Sequence, residues 1–174
     1  MISPRERIEC RQGDIANQPD ITAVVNAANA ELRPGGGVAG ALHRAAGPEL
    51  DRACRPLAPI KPGQAVLTDA FELPNRYVIH CLGPIYGVDE PADELLAGCY
   101  RHALELAEQH AIDSLAFPAL SSGAFGYPAA EAARIALATA IQTLPTCPHV
   151  ERVRFVLFDA ASHDLFQRTL ASFE

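Results

Sequence analysis

Three consecutive glycines and two asparagines lie in one short stretch, Val24–Gly47, whose second half has an alanine-rich helical pattern. Glycine has no Cβ, so its backbone can adopt a positive φ and a ligand can approach its N–H groups closely. The unpaired N–H groups and the dipole of a helix N-terminus favour an anion. The stretch therefore predicts a phosphate-binding loop that opens a helix. Its candidate ligand-binding residues are Gly35, Gly36, Gly37 and Val38.

A second loop of small residues, Leu120–Tyr127, is also followed by a helical pattern. Serine hydroxyls and backbone N–H groups from two such loops could bind both phosphates of a diphosphate. One alternative is ordinary turn serines, since Ser and Gly are common in loops. The other is a serine nucleophile, but the Gly-x-Ser-x-Gly elbow is absent because neither Ala119 nor Leu120 is glycine. The candidate residues here are Ser121, Ser122, Gly123, Ala124 and Phe125.

A dinucleotide-binding dehydrogenase is the main rival interpretation, because the glycines match Gly-x-Gly-x-x-Gly from Gly35 to Gly40. That fingerprint needs its first glycine directly after a strand and an acidic residue about 20 positions further on. Here Asn26–Pro34 separates the strand from the glycines, and Leu57–Pro62 contains no carboxylate. The spacing therefore argues against a dehydrogenase.

Strand-like and helix-like segments alternate along the chain, which predicts an α/β layered sandwich with a ligand crevice at the strand ends. The predicted strands are residues 8–11, 21–25, 65–68, 77–81, 114–117 and 153–158. The predicted helices are residues 38–46, 48–54, 91–110, 128–144 and 160–171. No repeat or linker divides the chain, so residues 1–174 are predicted to form a single domain.

Composition narrows the class of protein further. The 174 residues are 49% hydrophobic, enough for one full core. No apolar run approaches membrane-spanning length and no signal peptide is evident, so we expect a cytoplasmic protein with no membrane partner. The formal net charge of −7 makes nucleic acid an improbable main partner. The five scattered cysteines indicate reduced, mostly buried thiols, and no residues have metal-ligand spacing. We expect a monomer.

Three motifs together carry a family resemblance. Asn26–Asn29 followed by Gly35–Leu42, with Gly13–Ile15 ahead of them and Pro118–Pro128 downstream, resembles the signature of macrodomains, the ADP-ribose-binding modules. The motifs occur in the family's order and span most of the chain. The resemblance implies a three-layer α/β/α fold with a central mixed, mostly parallel sheet. It also implies ADP-ribose as the ligand, with no cofactor and no metal.

The resemblance assigns roles to residues at the adenine end and at the distal ribose. In macrodomains the residue matching Asp14 accepts a hydrogen bond from the adenine amino group, and the residue matching Ile15 packs on the base. Phe158 and Asp159 match the aromatic wall and polar neighbour there, and Phe125 matches a residue that lines the distal ribose. From the residues alone, Asp14 could instead be a turn cap and Phe158 a core residue.

Asn29 and His43 are the candidate catalytic residues. An amide both donates and accepts, which suits adjacent ribose hydroxyls, and the family's matching asparagine orients the distal sugar. Asn26 is predicted to bind its own loop's backbone. MacroD-type hydrolases carry an aspartate and a histidine where this chain has Ala39 and His43, whereas viral macrodomains also carry the alanine. A structural role for His43 stays open.

Two functions therefore follow from the resemblance. The first is a hydrolase that binds ADP-ribose and cleaves the ester at its distal ribose, in mono-ADP-ribosylated Asp or Glu side chains of proteins or in O-acetyl-ADP-ribose. Without an aspartate at position 39, such an enzyme would position its water through the substrate's phosphate and backbone carbonyls. The second is a reader that binds ADP-ribose without turnover, and Ala39 favours it.

Overall fold

A six-stranded mixed sheet forms the centre of the protein, for which the computed structural model describes residues 2–173. The strand order is β1-β6-β5-β2-β4-β3, and only β3 is antiparallel to its neighbour. The strands are β1 Ile8–Gln12, β2 Ala23–Ala27, β3 Ala65–Asp69, β4 Tyr77–Cys81, β5 Ser114–Phe117 and β6 Arg152–Leu157. The α-helices are α1 Gly37–Ala46, α2 Pro48–Cys54, α3 Ala92–Gln109, α4 Ala129–Thr143 and α5 Ala160–Ser172.

Helices cover both faces of this sheet, so the predicted three-layer α/β/α fold is confirmed. One apolar cluster joins the sheet to α3, α4 and α5, and it includes the packed rings of Tyr100, Phe117 and Phe155. The other cluster joins the opposite face to α1 and α2. Central parallel strands are buried on both faces in such a fold, which explains the apolar runs 23–25 in β2 and 115–117 in β5.

Two strand boundaries differ from the prediction in a way that affects the site. Strand β2 begins two residues later than predicted, because the Ile21 N–H turns back to the Gln18 carbonyl, and it continues to pair with β4 through Asn26 and Ala27. Strand β6 ends at Leu157, its last residue paired with β1, so Phe158 lies beyond the sheet. The remaining elements agree with the prediction to within one or two residues.

The parallel strands direct the candidate residues to one edge of the sheet. The segments after β1, β6, β5 and β2 carry Asp14, Phe158, Ser121 and Asn29 respectively. Neighbouring strands lie about 4.8 Å apart, so these segments form a continuous row across the carboxyl edge. All five cysteines are buried and free of disulfides, as predicted. Among residues 2–173, no helix combines the length and apolarity needed to cross a membrane.

Candidate functional site

A cleft of about 430 Å³ lies at this carboxyl edge, between the ends of β2, β4 and β5. The structure brings together in it nine of the predicted site residues, which are Asn29, Gly35, Gly36, Gly37, Val38, Ser121, Gly123, Ala124 and Phe125. Six further lining residues were not predicted as ligand-binding, and these are Ala27, Ala28, Ala39, Gly83, Ala119 and Leu120. All six are small or apolar and carry no functional group, so the sequence gives them no chemical signal.

The N-terminus of α1 forms one wall of the cleft. Gly36 is the N-cap and provides no side-chain hydrogen bond, and the first turn contains no acidic residue. The first N–H groups of a helix have no partner within it, so they are available to an anion. Of the three glycines only Gly37 has a positive φ, 57°, and helix α1 begins there rather than at Val38. This wall is suited to a phosphate.

The second loop forms the opposite wall and contains an unusual serine. Ser121 has a positive φ of 63°, a conformation that costs a non-glycine residue energy. Its Oγ is buried and hydrogen-bonds to none of the described residues. A Cβ at Gly83 would lie 2.1 Å from this oxygen, so only glycine at the end of β4 permits the approach. A buried hydroxyl without a partner is costly, and a ligand in the cleft could satisfy it.

The neighbouring Ser122 has a different role, because its hydroxyl donates to the Ala119 carbonyl oxygen at 2.9 Å. Ser122 does not line the cleft. This is the turn role that the sequence left open as an alternative. Phe125 is half-buried in the cleft wall, and its carbonyl accepts from the Tyr86 N–H at 2.9 Å. The Tyr86 bond ties the segment after β4 to the second loop.

Asn29 and Asn26 both make hydrogen bonds that the sequence does not predict. The Asn29 amide bonds to the backbone of its own loop, donating to the Arg33 carbonyl oxygen at 2.8 Å and accepting from the Arg33 N–H at 3.0 Å. The expectation that Asn26 would tie this loop to its backbone was wrong. Asn26 belongs to β2 and contacts His80 instead, with 3.0 Å between Asn26 Nδ2 and His80 Nδ1.

His80 lies at the centre of a buried polar network next to the cleft, which gives it a structural role. Thr68 Oγ1 donates to the Asp69 carbonyl oxygen, so it accepts from His80 Nε2 at 3.0 Å, and Nδ1 is left to accept from Asn26. The imidazole is fully buried, and burial lowers its pKa to about 3. His80 is therefore neutral and fixes the residue that precedes the cleft segment Ala27–Asn29.

His43 does not line the cleft, although α1 carries it four residues after Ala39. Its side chain is buried, and neither ring nitrogen has a hydrogen-bond partner among the described residues. Burial lowers the pKa of His43, which keeps the ring neutral. Ala39 does line the cleft and offers no base. In this structure His43 is therefore a buried residue of α1 outside the cleft lining.

At the far side of the edge, Asp14 and Ile15 follow β1. Asp14 is exposed, and its Oδ1 accepts from the Ala16 N–H at 2.9 Å, which is the turn-cap geometry left open by the sequence. The other carboxylate oxygen has no donor among residues 2–173. Ile15 is buried in the apolar cluster under α1, which also includes Val156. One side chain can thus accept from a ligand while its neighbour is part of the core.

Phe158 and Asp159 lie beside them, because β6 pairs with β1. The core alternative for Phe158 was wrong, since its side chain is 89% exposed just beyond the last strand residue. Asp159 is the N-cap of α5, where its carboxylate accepts from the Ser162 N–H at 2.8 Å. That bond lowers the pKa of Asp159. Asp14, Ile15, Phe158 and Asp159 form a separate group outside the cleft lining.

The residues of the site match no metal centre. Among residues 2–173, no group of three or more His, Cys, Asp or Glu side chains is placed to hold a metal ion. The cleft has instead a helix N-terminus on one wall, an unpaired serine hydroxyl on the other, and an exposed aromatic and carboxylate further along the edge. The fold and this arrangement define an α/β protein whose strand-end cleft is suited to an extended anionic ligand.

Comparison with known proteins gives the family. The Macro domain family model matches residues 25–136, and the chain belongs to this family. An O-acetyl-ADP-ribose deacetylase of Cronobacter turicensis is 44% identical over 97% of this chain and 98% of its own length. A macro domain-containing protein of Chlorobaculum tepidum is 44% identical over 87% of this chain and 89% of its own length.

Solved structures agree with this assignment. A mutant macrodomain of Oceanobacillus iheyensis solved with ADPR superposes with a TM-score of 0.90 at 41% identity, covering 94% of this chain and 91% of that one. A Trypanosoma brucei macrodomain in complex with ADP-ribose has a TM-score of 0.87 at 34% identity, covering 94% of this chain and 68% of that one.

Proposed function

We propose that this protein binds ADP-ribose along the carboxyl edge of its sheet and hydrolyses the ester at the distal ribose. The proposed substrates are O-acetyl-ADP-ribose and proteins mono-ADP-ribosylated on Asp or Glu. The observation that carries the proposal is the cleft between the uncapped N-terminus of α1 and the buried, unpaired hydroxyl of Ser121. A diphosphate would receive N–H donors from one wall and a hydroxyl from the other.

The two ends of the ligand follow from the order of the strands. Asp14 and Phe158, after the neighbouring strands β1 and β6, suit a base that donates a hydrogen bond and stacks on an aromatic ring. Asn29 and Phe125, at the other end of the row, suit the distal ribose. The related deacetylase and the solved neighbours with ADP-ribose support this choice of ligand.

The groups that could act in the reaction are those that line the cleft. Ala39 lines it without a base, and His43 lies outside it. The step needs one water, which adds to the ester carbonyl carbon while the bond from that carbon to the ribose oxygen breaks. The products are a carboxylic acid and a free ribose hydroxyl. The acceleration of ester hydrolysis must therefore come from positioning the water and the substrate. Asn29, the backbone of both loops and the ligand's own phosphate would do this.

A reader without turnover is the second candidate, and the observation that favours it is Ala39. One preparation distinguishes the two: calorimetric titration with ADP-ribose, followed by release assays on O-acetyl-ADP-ribose and on an Asp/Glu-linked mono-ADP-ribosylated protein. Binding with release that excess ADP-ribose inhibits is the expected result. Binding without release would establish the reader, and an absence of binding would overturn the proposed function.

A further inference from the structure

A buried arginine lies under the adenine side of the proposed site. Arg154 is in the middle of β6, two residues before Val156 and therefore on the same face of the sheet. Its side chain is only 1% exposed. Burying a guanidinium is tolerated only where its N–H donors are paired, so the partners of Arg154 show what this residue holds in place.

Those partners converge from β1 and from the segment that follows it. Arg154 Nε donates to Glu9 Oε1 at 2.9 Å, and both terminal nitrogens donate to the Asp20 carboxylate, at 2.9 and 2.7 Å. The Arg154 hydrogen bonds hold the pKa of Asp20 well below its usual range, so the pair stays charged. Nη1 also donates to Gln18 Oε1 at 2.8 Å. The guanidinium thus fixes the segment 13–20 at two points.

Gln18 passes this restraint to Asp14. Its side chain is buried, and its Nε2 donates to the Asp14 main-chain carbonyl oxygen at 2.9 Å. The Asn75 side-chain amide holds the backbone of Gln18, because it donates to the Gln18 main-chain carbonyl oxygen at 2.8 Å. A continuous chain of hydrogen bonds therefore runs from Arg154 through the Gln18 side chain to the backbone of Asp14.

The turn at the end of this chain aims one carboxylate oxygen. The Asn17 N–H donates to the Asp14 carbonyl oxygen at 2.9 Å, and the Ala16 N–H donates to Asp14 Oδ1 at 2.9 Å. The segment 13–20 contains no helix or strand of its own. Without Gln18, the free loop would sample more conformations, and binding a ligand at Asp14 would have to order it.

We propose that Arg154 and Gln18 are positioning residues for adenine recognition, setting the Asp14 carboxylate where it accepts the exocyclic amino group of adenine. This inference rests on the proposed binding of ADP-ribose. Arg154 acts through Gln18, and neither residue touches the ligand. Their contribution is selective: it belongs to the adenine end and leaves the phosphate and distal-ribose contacts of the cleft intact.

The test measures discrimination rather than affinity alone. Wild-type protein and Gln18→Met are titrated with ADP-ribose and with its analogue in which hydrogen replaces the exocyclic amino group. Methionine keeps the buried volume and leaves the Arg154 bonds to Asp20 and Glu9 in place. We expect wild-type protein to prefer ADP-ribose by roughly ten- to a hundredfold, as befits a hydrogen bond to a charged group. In Gln18→Met the preference falls by at least about fivefold on the same basis.

Arg7→Met is the matched control. Arg7 also donates from a partly buried guanidinium, to the carbonyls of Leu144, Cys147 and Val150, but it does so ahead of β1 at the opposite edge of the sheet. The Arg7→Met variant should lose thermal stability while keeping the wild-type preference for ADP-ribose over the analogue. Gln18→Glu is the second variant should Gln18→Met not fold, because it retains an acceptor for Arg154 and removes the donor to Asp14.

The outcomes separate this inference from the proposed function. A reduced preference in the folded Gln18 variants with a normal preference in Arg7→Met supports the positioning role. An unchanged preference in a folded Gln18 variant would overturn the positioning role alone, since the wild-type protein would still bind ADP-ribose. Wild-type protein that does not bind ADP-ribose would overturn the proposed function and this inference together.

Discussion

Asn29 and Arg33 bind each other in both directions, through the Asn29 amide group and the Arg33 backbone, at 2.8 and 3.0 Å. The two bonds use the amide oxygen and one N–H, and they close the loop that leads to the glycines. Gly35 packs against the same amide, since a Cβ there would lie 3.3 Å from Asn29 Nδ2. Asn29 therefore sets the shape of the loop and still has a second N–H for a ligand.

Replacing Asn29 by Ala should reduce turnover more than binding. We expect a loss of about a hundredfold in the rate of ester release, the size of effect that a small misplacement of substrate causes. Affinity for ADP-ribose should fall by about 0.5–1.5 kcal/mol, the value of one ordinary hydrogen bond. Single-turnover release and calorimetry measure the two quantities.

The control is Arg33→Ala, which removes the exposed ion pair with Asp51 but leaves the backbone groups that Asn29 binds. Arg33→Ala should change neither the rate of ester release nor the affinity for ADP-ribose. Equal losses of rate and affinity in Asn29→Ala would show that Asn29 only binds the ligand.

Asp14→Ala should weaken ADP-ribose binding by about 1.5–3 kcal/mol, because it removes a hydrogen bond to a charged acceptor. Calorimetry with ADP-ribose measures the loss. Asp164→Ala is the matched control, since Asp164 is exposed on α5 and pairs with Arg168 on the surface. An affinity of Asp14→Ala equal to that of wild-type protein would place adenine elsewhere.

Phe158→Ala should affect binding and not folding. The ring is 89% exposed, so the free energy of unfolding should change by less than about 0.5 kcal/mol. Stacking of a base on an aromatic ring is worth about 1–3 kcal/mol, and ADP-ribose affinity should fall by that amount. Phe166→Ala is the converse control, because Phe166 is buried and its removal should cost about 3–5 kcal/mol of stability. A normal affinity in Phe158→Ala would remove this ring from the site.

The sequence predicted the layered fold because its signals are local. Several β-branched residues mark β2 and β6, and helical spacing marks α3, so the positions of these elements follow from local sequence patterns. The glycine-rich loops are also visible in the local sequence, because small residues cluster in them. Parallel pairing then brings their ends to one edge without further information.

The roles of individual polar side chains depended on long-range contacts that a sequence does not display. Nothing near Asn26 in the chain indicates that His80 contacts it, and nothing near Arg154 indicates Gln18 or Asp20. Gly83 has no side chain that could signal a role, yet its lack of a Cβ leaves room for Ser121, which approaches from a different segment. Such roles become visible only when the fold has placed the partners together.

The free energy of unfolding should decrease as the pH is lowered, because the buried network keeps His80 neutral in the folded protein. The pKa of His80 is about 3 in the folded protein against a usual value of 6.5, so below about pH 6.5 the unfolded state binds the extra proton. Stability from this group is fully present above that value and is lost as pH falls towards 3. Between these two pKa values, each unit of decrease in pH should lower the free energy of unfolding by about 1.4 kcal/mol through His80.

Urea unfolding at about pH 6.5 and about pH 5 measures this slope, in a range above most carboxyl pKa values. The slope should be smaller in His80→Gln by about the contribution of one histidine, although that variant is less stable throughout. The exposed His110 gives the control variant, His110→Gln, whose slope should match that of wild-type protein. A wild-type slope retained in His80→Gln would assign the pH dependence to other groups.

Ala39→Asp tests how the water is activated. Ala39 lies on α1 within the cleft lining, so a carboxylate there would face the bound substrate and could act as a general base. General-base catalysis contributes typically 10²–10⁴-fold, and we expect a gain of at least about tenfold in ester release. Burial raises the pKa of a carboxyl group, so the gain should grow as pH rises. Ala45→Asp, on the exposed side of the same helix, should leave the rate unchanged. An unchanged rate in Ala39→Asp that still binds ADP-ribose would show that substrate and backbone alone position the water.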